Sequence, residues 1–337
     1  MKTIKTVDAV GTILCHDITQ IIPGGFKGVA FKKGHIVKEE DIPVLLSLGK
    51  DNLYIWEQTE GTLHENDAAI RIKNHIAGSG LEFSEIKEGK IDFIAEIDGL
   101  LKVDVEELFK INSLGEIIVA TLHNNTPIKK GTKVAGTRVI PLVIKEDKIL
   151  EMENISKKEI IKVLPCKPKK VAIISTGNEI FYRRIQDKFG PILSGKVAEY
   201  GCEVVYHTFS SDDKEMIKEK IQEALNSDAE LILCTGGMSV DPDDRTPLAI
   251  REMGGELITY GSPILPGAML LLAYHGEKTI LGLPGCVMHS KKTAFDLVLP
   301  RILAGEKLTF KDIASYGHGG LCLNCPVCTF PHCSFGK

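Results

Sequence analysis

The sequence predicts an α/β protein with a doubly wound, mostly parallel sheet in residues 166–310. An α+β region in residues 1–165 precedes that sheet, and a short cysteine-rich metal-binding tail in residues 311–337 follows it. The sheet is predicted because short apolar runs alternate with helical segments from Val171 onward, as they do in βαβ units. The first half has glycine-punctuated, β-prone pieces without this alternation. The tail is predicted because four of the nine cysteines lie in the last 16 residues.

The elements of the predicted sheet domain follow from apolar runs and helical periodicity. Apolar positions recur on one face over residues 214–226, which predicts a helix, and Asp212 with Glu215 predicts its capping box. The other predicted elements are strands at 171–174, 203–206 and 231–234, a helix from about 247 to 253, a buried strand near 268–273, and a helix after Gly285 that ends near Leu303.

The first half contains short predicted strands and two predicted helices. The strands are expected at 91–97, 117–120 and 139–144, and the helices near 40–48 and 103–111. Residues 157–170 contain two prolines and six lysines, and we predict the domain boundary there.

Length and composition exclude several classes of protein. The 337 residues exceed one ordinary hydrophobic core, and 43% apolar with 26% charged residues is typical of folded globular chains. The chain has 41 basic and 45 acidic residues, so it has no net positive charge that would favour binding of nucleic acid. Residues 1–8 lack an apolar signal-peptide core, and the apolar run near 268–273 is too short to span a membrane. We therefore expect a cytoplasmic protein with no nucleic-acid or membrane partner.

Three loops that follow predicted strands are the candidate ligand site. In a doubly wound sheet, ligands bind beyond the carboxyl ends of the strands, where glycines allow the backbone to approach a phosphate. The loops are 175–179, 235–246 and 281–285, each with a glycine at its turn. An alternative is that each loop is only a tight turn between strand and helix.

Carboxylates crowd the same loops. Asp241, Asp243 and Asp244 lie in one loop, and Glu179 and Asp213 are expected at neighbouring strand ends. Such a group repels itself unless it holds a cation, and Mg²⁺ prefers one or two carboxylates beside phosphate oxygens. The alternative is a solvated acidic loop whose Asp side chains cap the following helix.

A family resemblance rests on motifs in these loops. They read Ser175-Thr176-Gly177-Asn178-Glu179-Ile180, Thr235-Gly236-Gly237-Met238-Ser239-Val240 with Asp244 beyond it, Pro266-Gly267, and Leu283-Pro284-Gly285 followed by a helix with Phe295 and Pro300. In order and spacing they resemble the molybdopterin-binding domain of molybdenum-cofactor biosynthesis proteins, and within these the molybdopterin molybdenumtransferases. The run from Lys33 to Gly49 resembles the second domain of that family.

The resemblance implies an enzyme that inserts molybdate into adenylylated molybdopterin with Mg²⁺ and releases AMP. It also implies a homodimer and a molybdoenzyme or cofactor-biosynthesis protein as partner. Asp244, Asp213 and Glu179 would be catalytic, with Mg²⁺ held by Asp244 and Glu179. The predicted pterin-binding residues are Thr176, Gly177, Thr235, Gly236, Gly237, Ser239, Asp241, Pro284 and Gly285.

Departures from the family pattern keep two other functions open. The family's L-P-G-N-P reads Leu283–Val287 here, its P-G-K-P reads Pro266–Met269, and its D-S-N reads Asp187–Phe189. The family's small C-terminal β-barrel domain is not expected. A molybdopterin carrier, chaperone or sensor is therefore one alternative. A nucleotide-hydrolysing protein is another, because Pro242–Thr246 resembles the competence-damage-inducible relatives.

The tail cysteines form the pattern C-x2-C-x2-C-x4-C. Four soft ligands within 12 residues, Cys322, Cys325, Cys328 and Cys333, are typical of a metal site. The overlapping spacing favours an iron–sulfur cluster, whereas the x4 spacing and the nearby His318 and His332 are compatible with Zn²⁺. Both metals, and a metal-free tail, stay open on the sequence.

Overall fold

A computed structural model describes residues 2–21, 27–55, 60–239, 241–242 and 244–337. Two compact units account for the chain. The first unit comprises residues 1–97, 102–122 and 130–163, and the second comprises 98–101, 123–129 and 164–337. Among the described residues, no helix has both the length and the apolar character that crossing a membrane requires.

The strands and helices have the following bounds. The strands are β1 (Lys2–Lys5), β2 (Ile18–Ile21), β3 (Lys27–Phe31), β4 (Asn52–Ile55), β5 (Thr62–His64), β6 (Leu81–Phe83), β7 (Lys90–Ala95), β8 (Gly99–Val103), β9 (Ile117–Thr121), β10 (Thr126–Ile128), β11 (Lys133–Val139), β12 (Val143–Lys145), β13 (Ile161–Pro165), β14 (Lys170–Thr176), β15 (Glu203–Ser210), β16 (Leu231–Thr235), β17 (Glu256–Tyr260), β18 (Leu271–His275) and β19 (Lys278–Leu283). The helices are α1 (Asp41–Ser47), α2 (Glu65–Ile76), α3 (Val105–Ser113), α4 (Glu146–Ile155), α5 (Asn178–Phe181), α6 (Phe189–Ala198), α7 (Lys214–Asn226), α8 (Thr246–Glu252), α9 (Ala294–Leu303) and α10 (Phe310–Ser315).

The first unit is built on antiparallel pairing. Its largest sheet has the order β6-β7-β11-β9, and each neighbouring pair is antiparallel. Helix α2 packs on β11, and its buried face includes Ala68, Ala69 and Ile72. The strand predicted at 139–144 is wrong, because β11 ends at Val139 and β12 begins only at Val143. The first half is therefore α+β, as the sequence predicts.

The second unit contains a six-stranded sheet in the order β15-β14-β16-β19-β18-β17. Strands β15, β14, β16 and β19 run parallel, and β18 and β17 continue the sheet antiparallel. The register pairs Thr176 with Ser210, Ser175 with Thr235, and Thr235 with Leu283. The carboxyl ends of the four parallel strands therefore meet at one edge of the sheet.

Both faces of this sheet are buried. On β14, Val171 and Ile173 belong to one apolar cluster, whereas Ala172 and Ile174 belong to the other. The first cluster includes side chains of α6 and α9, and the second includes side chains of α7 and α8. Helices on both faces of a mostly parallel sheet make a doubly wound domain, which confirms the predicted architecture of this region.

The predicted helix over 214–226 is confirmed, but its cap differs from the prediction. The Asp213 side chain accepts the backbone N–H of Met216 at 3.0 Å, so Asp213 is the N-cap. Asp212 instead accepts the N–H of Asn178 at 2.9 Å. The strand predicted near 268–273 begins only at Leu271, because a turn precedes it.

A buried ion cluster joins α9 to α10. Arg301, with 5% of its side chain exposed, donates to Glu306 at 2.8 Å and to Asp312 at 2.7 Å. Burial alone would raise the pKa of Asp312, but hydrogen bonds from Thr309 and Arg301 outweigh it and lower that pKa to about 2. Asp312 also completes the capping box of α10 with Thr309. This cluster fixes the chain just before the cysteine-rich segment.

Candidate functional site

The candidate site is the carboxyl edge of the parallel strands. From β14 the chain moves outward to β15 and then crosses back to β16 on the other side of β14. The crevice between the ends of β14 and β16 is thus a topological switch point, where ligands bind in doubly wound sheets. Thr176 and Thr235 end these two strands and lie among the predicted pterin-binding residues.

Gly236 is held against the end of β14. Its φ is +84°, and a Cβ built on it would lie 2.1 Å from the carbonyl oxygen of Thr176. The Thr176 hydroxyl donates to the Thr235 carbonyl at 3.0 Å and lies 3.1 Å from the Thr246 hydroxyl. Only glycine fits this left-handed, crowded position. The structure therefore brings Thr176, Thr235, Gly236 and Gly237 together. The Gly237 carbonyl also accepts the N–H of Thr246.

The hydroxyl of Thr235 has no hydrogen-bond partner among the described residues, although the residue is fully buried. Leaving a buried hydroxyl unpaired costs about 1–3 kcal/mol. Native structures usually satisfy such a group with water, an ion or a ligand. The orphaned oxygen lies at the start of residues 235–246, here called the Gly-Gly loop, which is consistent with a ligand site there.

Tyr260 anchors the Gly-Gly loop from β17. Its hydroxyl donates to the carbonyls of Met238 and Ser239 at 3.0 and 3.1 Å. Burial raises the pKa of Tyr260, and the charge of Asp244 raises it further. The sequence offered no signal for this residue, because its partners are backbone atoms about twenty positions away. Val240 and Asp243 of the same loop lie outside the described residues.

The predicted acidic residues that the structure describes each make a local contact. Asp213 caps α7, so the structure gives it a local role in the helix. Asp244 accepts the N–H of Asp241 at 2.9 Å, and the N–H of Asp244 bonds back to the Asp241 carbonyl. The Glu179 carboxylate folds over Gly177, 2.8 Å from where a Cβ would lie. Each carboxylate therefore has a separate local environment.

The predicted metal sites are not assembled. Within the described ranges, no three Cys, His, Asp or Glu side chains converge closely enough to hold a metal ion. Asp244 bonds with Asp241 and the Glu179 carboxylate lies over Gly177, so Mg²⁺ binding by Asp244 and Glu179 stays a prediction. In the tail, Cys325 and Cys328 are exposed, and metal binding by the four tail cysteines likewise stays a prediction.

A polar cluster that the sequence did not predict lies at the ends of β14 and β15. The Ser175 hydroxyl, the Asp187 carboxylate and His207 Nε2 lie 3.3–3.4 Å from one another. Asp187 also accepts the N–H groups of Phe189 and Gly190. Ser175 and Asp187 contact the same imidazole nitrogen, Nε2 of His207, and Ser175 is fully buried. The cluster therefore lacks the arrangement of a nucleophilic triad. These contacts instead hold the Asp187 carboxylate in place.

A cavity of about 580 Å³ opens beside Asp187. It is lined by Ile180, Phe181, Arg183, Arg184, Ile185, Gln186, Asp187, Thr208 and Phe209. Arg184 lies 5.3 Å over the Tyr182 ring. Two guanidinium groups next to backbone loops at a strand end favour an anionic ligand.

The third loop adds Pro284 and Gly285 to the same edge. Pro284 follows β19, and Gly285 begins a single turn of 3₁₀ helix that ends at Met288. A Cβ on Gly285 would meet nothing within 4 Å, so the structure does not require glycine there. This loop is therefore more tolerant of side chains than the Gly-Gly loop.

Comparisons with known proteins agree with this location. The family described as "Probable molybdopterin binding domain" matches residues 172–304, and a domain of unknown function matches residues 3–57. The molybdopterin molybdenumtransferase of Synechococcus elongatus is 28% identical over 144 residues, which are 40% of this chain and 36% of that protein. The chain thus spans about a third of that relative's length.

Other relatives cover different shares of the chain. A Methanocaldococcus jannaschii protein named for molybdopterin biosynthesis is 25% identical over 340 residues, covering 91% of this chain and 75% of its own. A CinA-like protein of Mycobacterium marinum is 31% identical over 90 residues, 26% of this chain and 21% of its own. The solved MoaB of Thermus thermophilus covers 41% of this chain and 98% of its own, with 23% identity and a TM-score of 0.33. Residues 172–304 are thus a divergent match to the probable molybdopterin binding domain, and relatives of the chain are named for molybdenum-cofactor biosynthesis.

Proposed function

We propose that this chain binds adenylylated molybdopterin at the carboxyl edge of its sheet and inserts molybdate with release of AMP. The observation that carries the proposal is the overlap of two findings. The matched family segment, 172–304, covers the four parallel strands from Ala172 of β14 onward, and the switch-point crevice at their ends holds the crowded Gly236 and the unpaired Thr235 hydroxyl. The family match supports a place in molybdenum-cofactor biosynthesis, and the crevice gives the position of the proposed ligand.

The Gly-Gly loop would receive a phosphate of the pterin nucleotide. The backbone N–H groups of Gly236 and Gly237, at the turn that follows β16, would donate to a phosphate oxygen. Tyr260 and Thr246 hold this loop through its carbonyl groups. Because the loop is anchored through its carbonyls, its position is fixed before the ligand binds, and this lowers the entropic cost of binding.

Arg183 and Arg184 would supply positive charge that the sequence motifs lack. The lysine of the family's P-G-K-P motif is replaced by Ala268. The arginine-lined cavity lies at the ends of β14 and β15, and Asp187 is held there by His207 and Ser175. Guanidinium groups bind phosphate oxygens in a bidentate manner, and this suits the phosphates of a nucleotide or an oxyanion such as molybdate.

Asp244 would act at the phosphoanhydride together with Mg²⁺. Mg²⁺ usually takes one or two protein carboxylates and completes its shell with phosphate oxygens and water. When bound, Mg²⁺ offsets the charge that develops on the phosphate oxygens during cleavage. Asp244 and Glu179 are the carboxylates that would hold it. Cleavage adds one water across the phosphoanhydride and frees AMP.

Two other functions are alternatives to molybdate insertion. A molybdopterin carrier, dimeric and docked on a molybdoenzyme, would use the same loops without cleaving the nucleotide. It is favoured by the replacement of the family's amide by Cys286 and its lysine by Ala268. A nucleotide hydrolase would act without molybdate, and the CinA-like relative of M. marinum favours it over a short segment.

The experiment that tests the proposal measures AMP release. The full chain is incubated anaerobically with adenylylated molybdopterin, molybdate and Mg²⁺, and AMP is quantified by chromatography. We expect AMP release that requires Mg²⁺ and is accompanied by molybdenum bound to the pterin. Retention of intact adenylylated pterin would instead establish the carrier, and molybdate-independent turnover of other dinucleotides would establish the hydrolase.

A further inference from the structure

The C-terminal residues 319–336, here called the cysteine loop, are closed at both ends. The N–H of Gly336 donates to the Gly319 carbonyl at 2.9 Å. The start of the loop pairs with Leu265, which donates to Gly320 and accepts from Cys322, each at 2.8 Å. At the other end Phe335 is only 3% exposed and joins the apolar cluster of the sheet domain. The loop is thus a fixed ring attached to the domain.

Between these ends the loop lacks regular structure and an apolar core of its own. The described residues from 323 to 336 contain turns and bends but neither helix nor strand. Leu323 and Val327 are 73% and 76% exposed. Loops of this length without secondary structure are uncommon in compact domains unless they serve a function. Apolar burial therefore does not explain why residues 323–328 hold one shape.

The interior of the ring is lined with thiols. A cavity of about 470 Å³ is bounded by all four tail cysteines, Cys322, Cys325, Cys328 and Cys333, and on its other wall by residues 289–292. Cys322 and Cys333 are half-buried against the domain, whereas Cys325 and Cys328 are exposed. Half of the thiols thus lie on the fixed part of the ring, and half on its exposed part.

We propose that the cysteine loop closes around a thiophilic metal centre, a zinc ion or an iron–sulfur cluster, held by the thiolates of these four cysteines. The thiols share one cavity but do not yet converge. Binding of a structural metal is coupled to folding of its ligands, so an ion would draw Cys325 and Cys328 towards Cys322 and Cys333. The ion would take the place of the missing apolar core.

The opposite wall supplies charge that suits such a centre. Four thiolates around Zn²⁺ carry a net charge of about −2, and Lys291 and Lys292 line the same cavity. Lys291 also donates to the Pro326 carbonyl at 2.8 Å, and Lys292 lies 5.3 Å over the Phe330 ring. Lys292 is paired with Asp296 at 3.2 Å, so Lys291 is the lysine of this wall that would complement the charge of such a centre.

The metal centre would also hold a loop of the ligand site. Residues 289–292 follow the 3₁₀ turn Gly285–Met288, and the Lys291 ammonium group donates to the Pro326 carbonyl of the cysteine loop. Ordering of the cysteine loop would therefore restrict the motion of residues 285–292. This consequence does not depend on which pterin nucleotide the chain binds.

Metal analysis of the full chain tests the inference. The protein is purified anaerobically, and zinc, iron and acid-labile sulfide are quantified together with the visible spectrum. We expect either one zinc per chain without visible absorption, or iron and sulfide with charge-transfer absorption. The double variant Cys325→Ser, Cys328→Ser should retain less than about one tenth of the metal, because a thiolate is needed for each bond.

Two controls make the test decisive. Cys166→Ser replaces a half-buried thiol outside the cavity and should retain the full metal content. The inference is overturned if the chain contains no metal and takes up neither Zn²⁺ nor iron with sulfide. Recovery of the four thiols as disulfides under anaerobic conditions, or equal metal in the double variant, would also overturn it. None of these readouts uses a pterin, so the result is separate from the AMP-release test.

Discussion

Gly236→Ala is expected to lower the free energy of unfolding by about 2–5 kcal/mol, because two costs add at one position. The first is strain, since the φ of +84° lies in the left-handed region that non-glycine residues rarely adopt. The second is a clash, since the new Cβ would lie 2.1 Å from the Thr176 carbonyl oxygen. The backbone of the Gly-Gly loop would have to move away from β14. Urea denaturation followed by circular dichroism measures the loss.

The matched control for this prediction is Gly195→Ala in α6. A Cβ on Gly195 meets nothing within 4 Å, and the residue lies inside a helix. Alanine there should raise stability by about 0.5–1 kcal/mol, since glycine costs about that much in a helix. Equal effects of the two substitutions would show that the contact between Gly236 and Thr176 does not constrain the loop.

Asp244→Asn is expected to lower the second-order rate constant for AMP release by about 100-fold or more, a loss typical of removing one charged group from a polar transition state. Asparagine keeps an oxygen that can accept the N–H of Asp241, so the turn between Asp241 and Asp244 should persist. What disappears is the negative charge that would hold Mg²⁺ beside the phosphates. The rate is measured with the AMP-release assay at saturating Mg²⁺.

Two comparisons separate this role of Asp244 from a structural one. Asp228→Asn removes a surface carboxylate that pairs with Lys170, at the opposite end of the sheet from the candidate site. Its rate should remain within about twofold of the parent, because single exposed ion pairs contribute little. If Asp244→Asn keeps the parent rate while its denaturation midpoint is unchanged, the carboxylate has no part in the reaction.

The sheet and its helices were predictable because they depend on local patterns. The apolar run of β14 fills both faces of the sheet, and the apolar positions of α7 recur at helical spacing. The choice of cap between Asp212 and Asp213 was not predictable. Both are acidic residues next to the helix start, and the choice depends on a contact between Asp212 and the distant Asn178.

The candidate site was predictable in its glycines and less so in its side chains. The pair Gly236-Gly237 after an apolar strand is a strong local signal for a tight turn. By contrast, His207 lies on the edge strand β15, and only the folded chain places it 3.3 Å from Asp187. The cysteine spacing likewise predicts ligand types, but convergence of the sulfurs depends on how the ring is closed. Sequence thus identified the loops, and folding determined which side chains share them.

Direct binding of molybdopterin tests the central claim most directly, that the loops at the carboxyl edge bind a pterin phosphate. The full chain is titrated with molybdopterin by anaerobic isothermal titration calorimetry. We expect saturable binding of one pterin per chain with a dissociation constant of about 1 μM or lower. A folded chain that shows no saturable binding at about 100 μM pterin would contradict the claim.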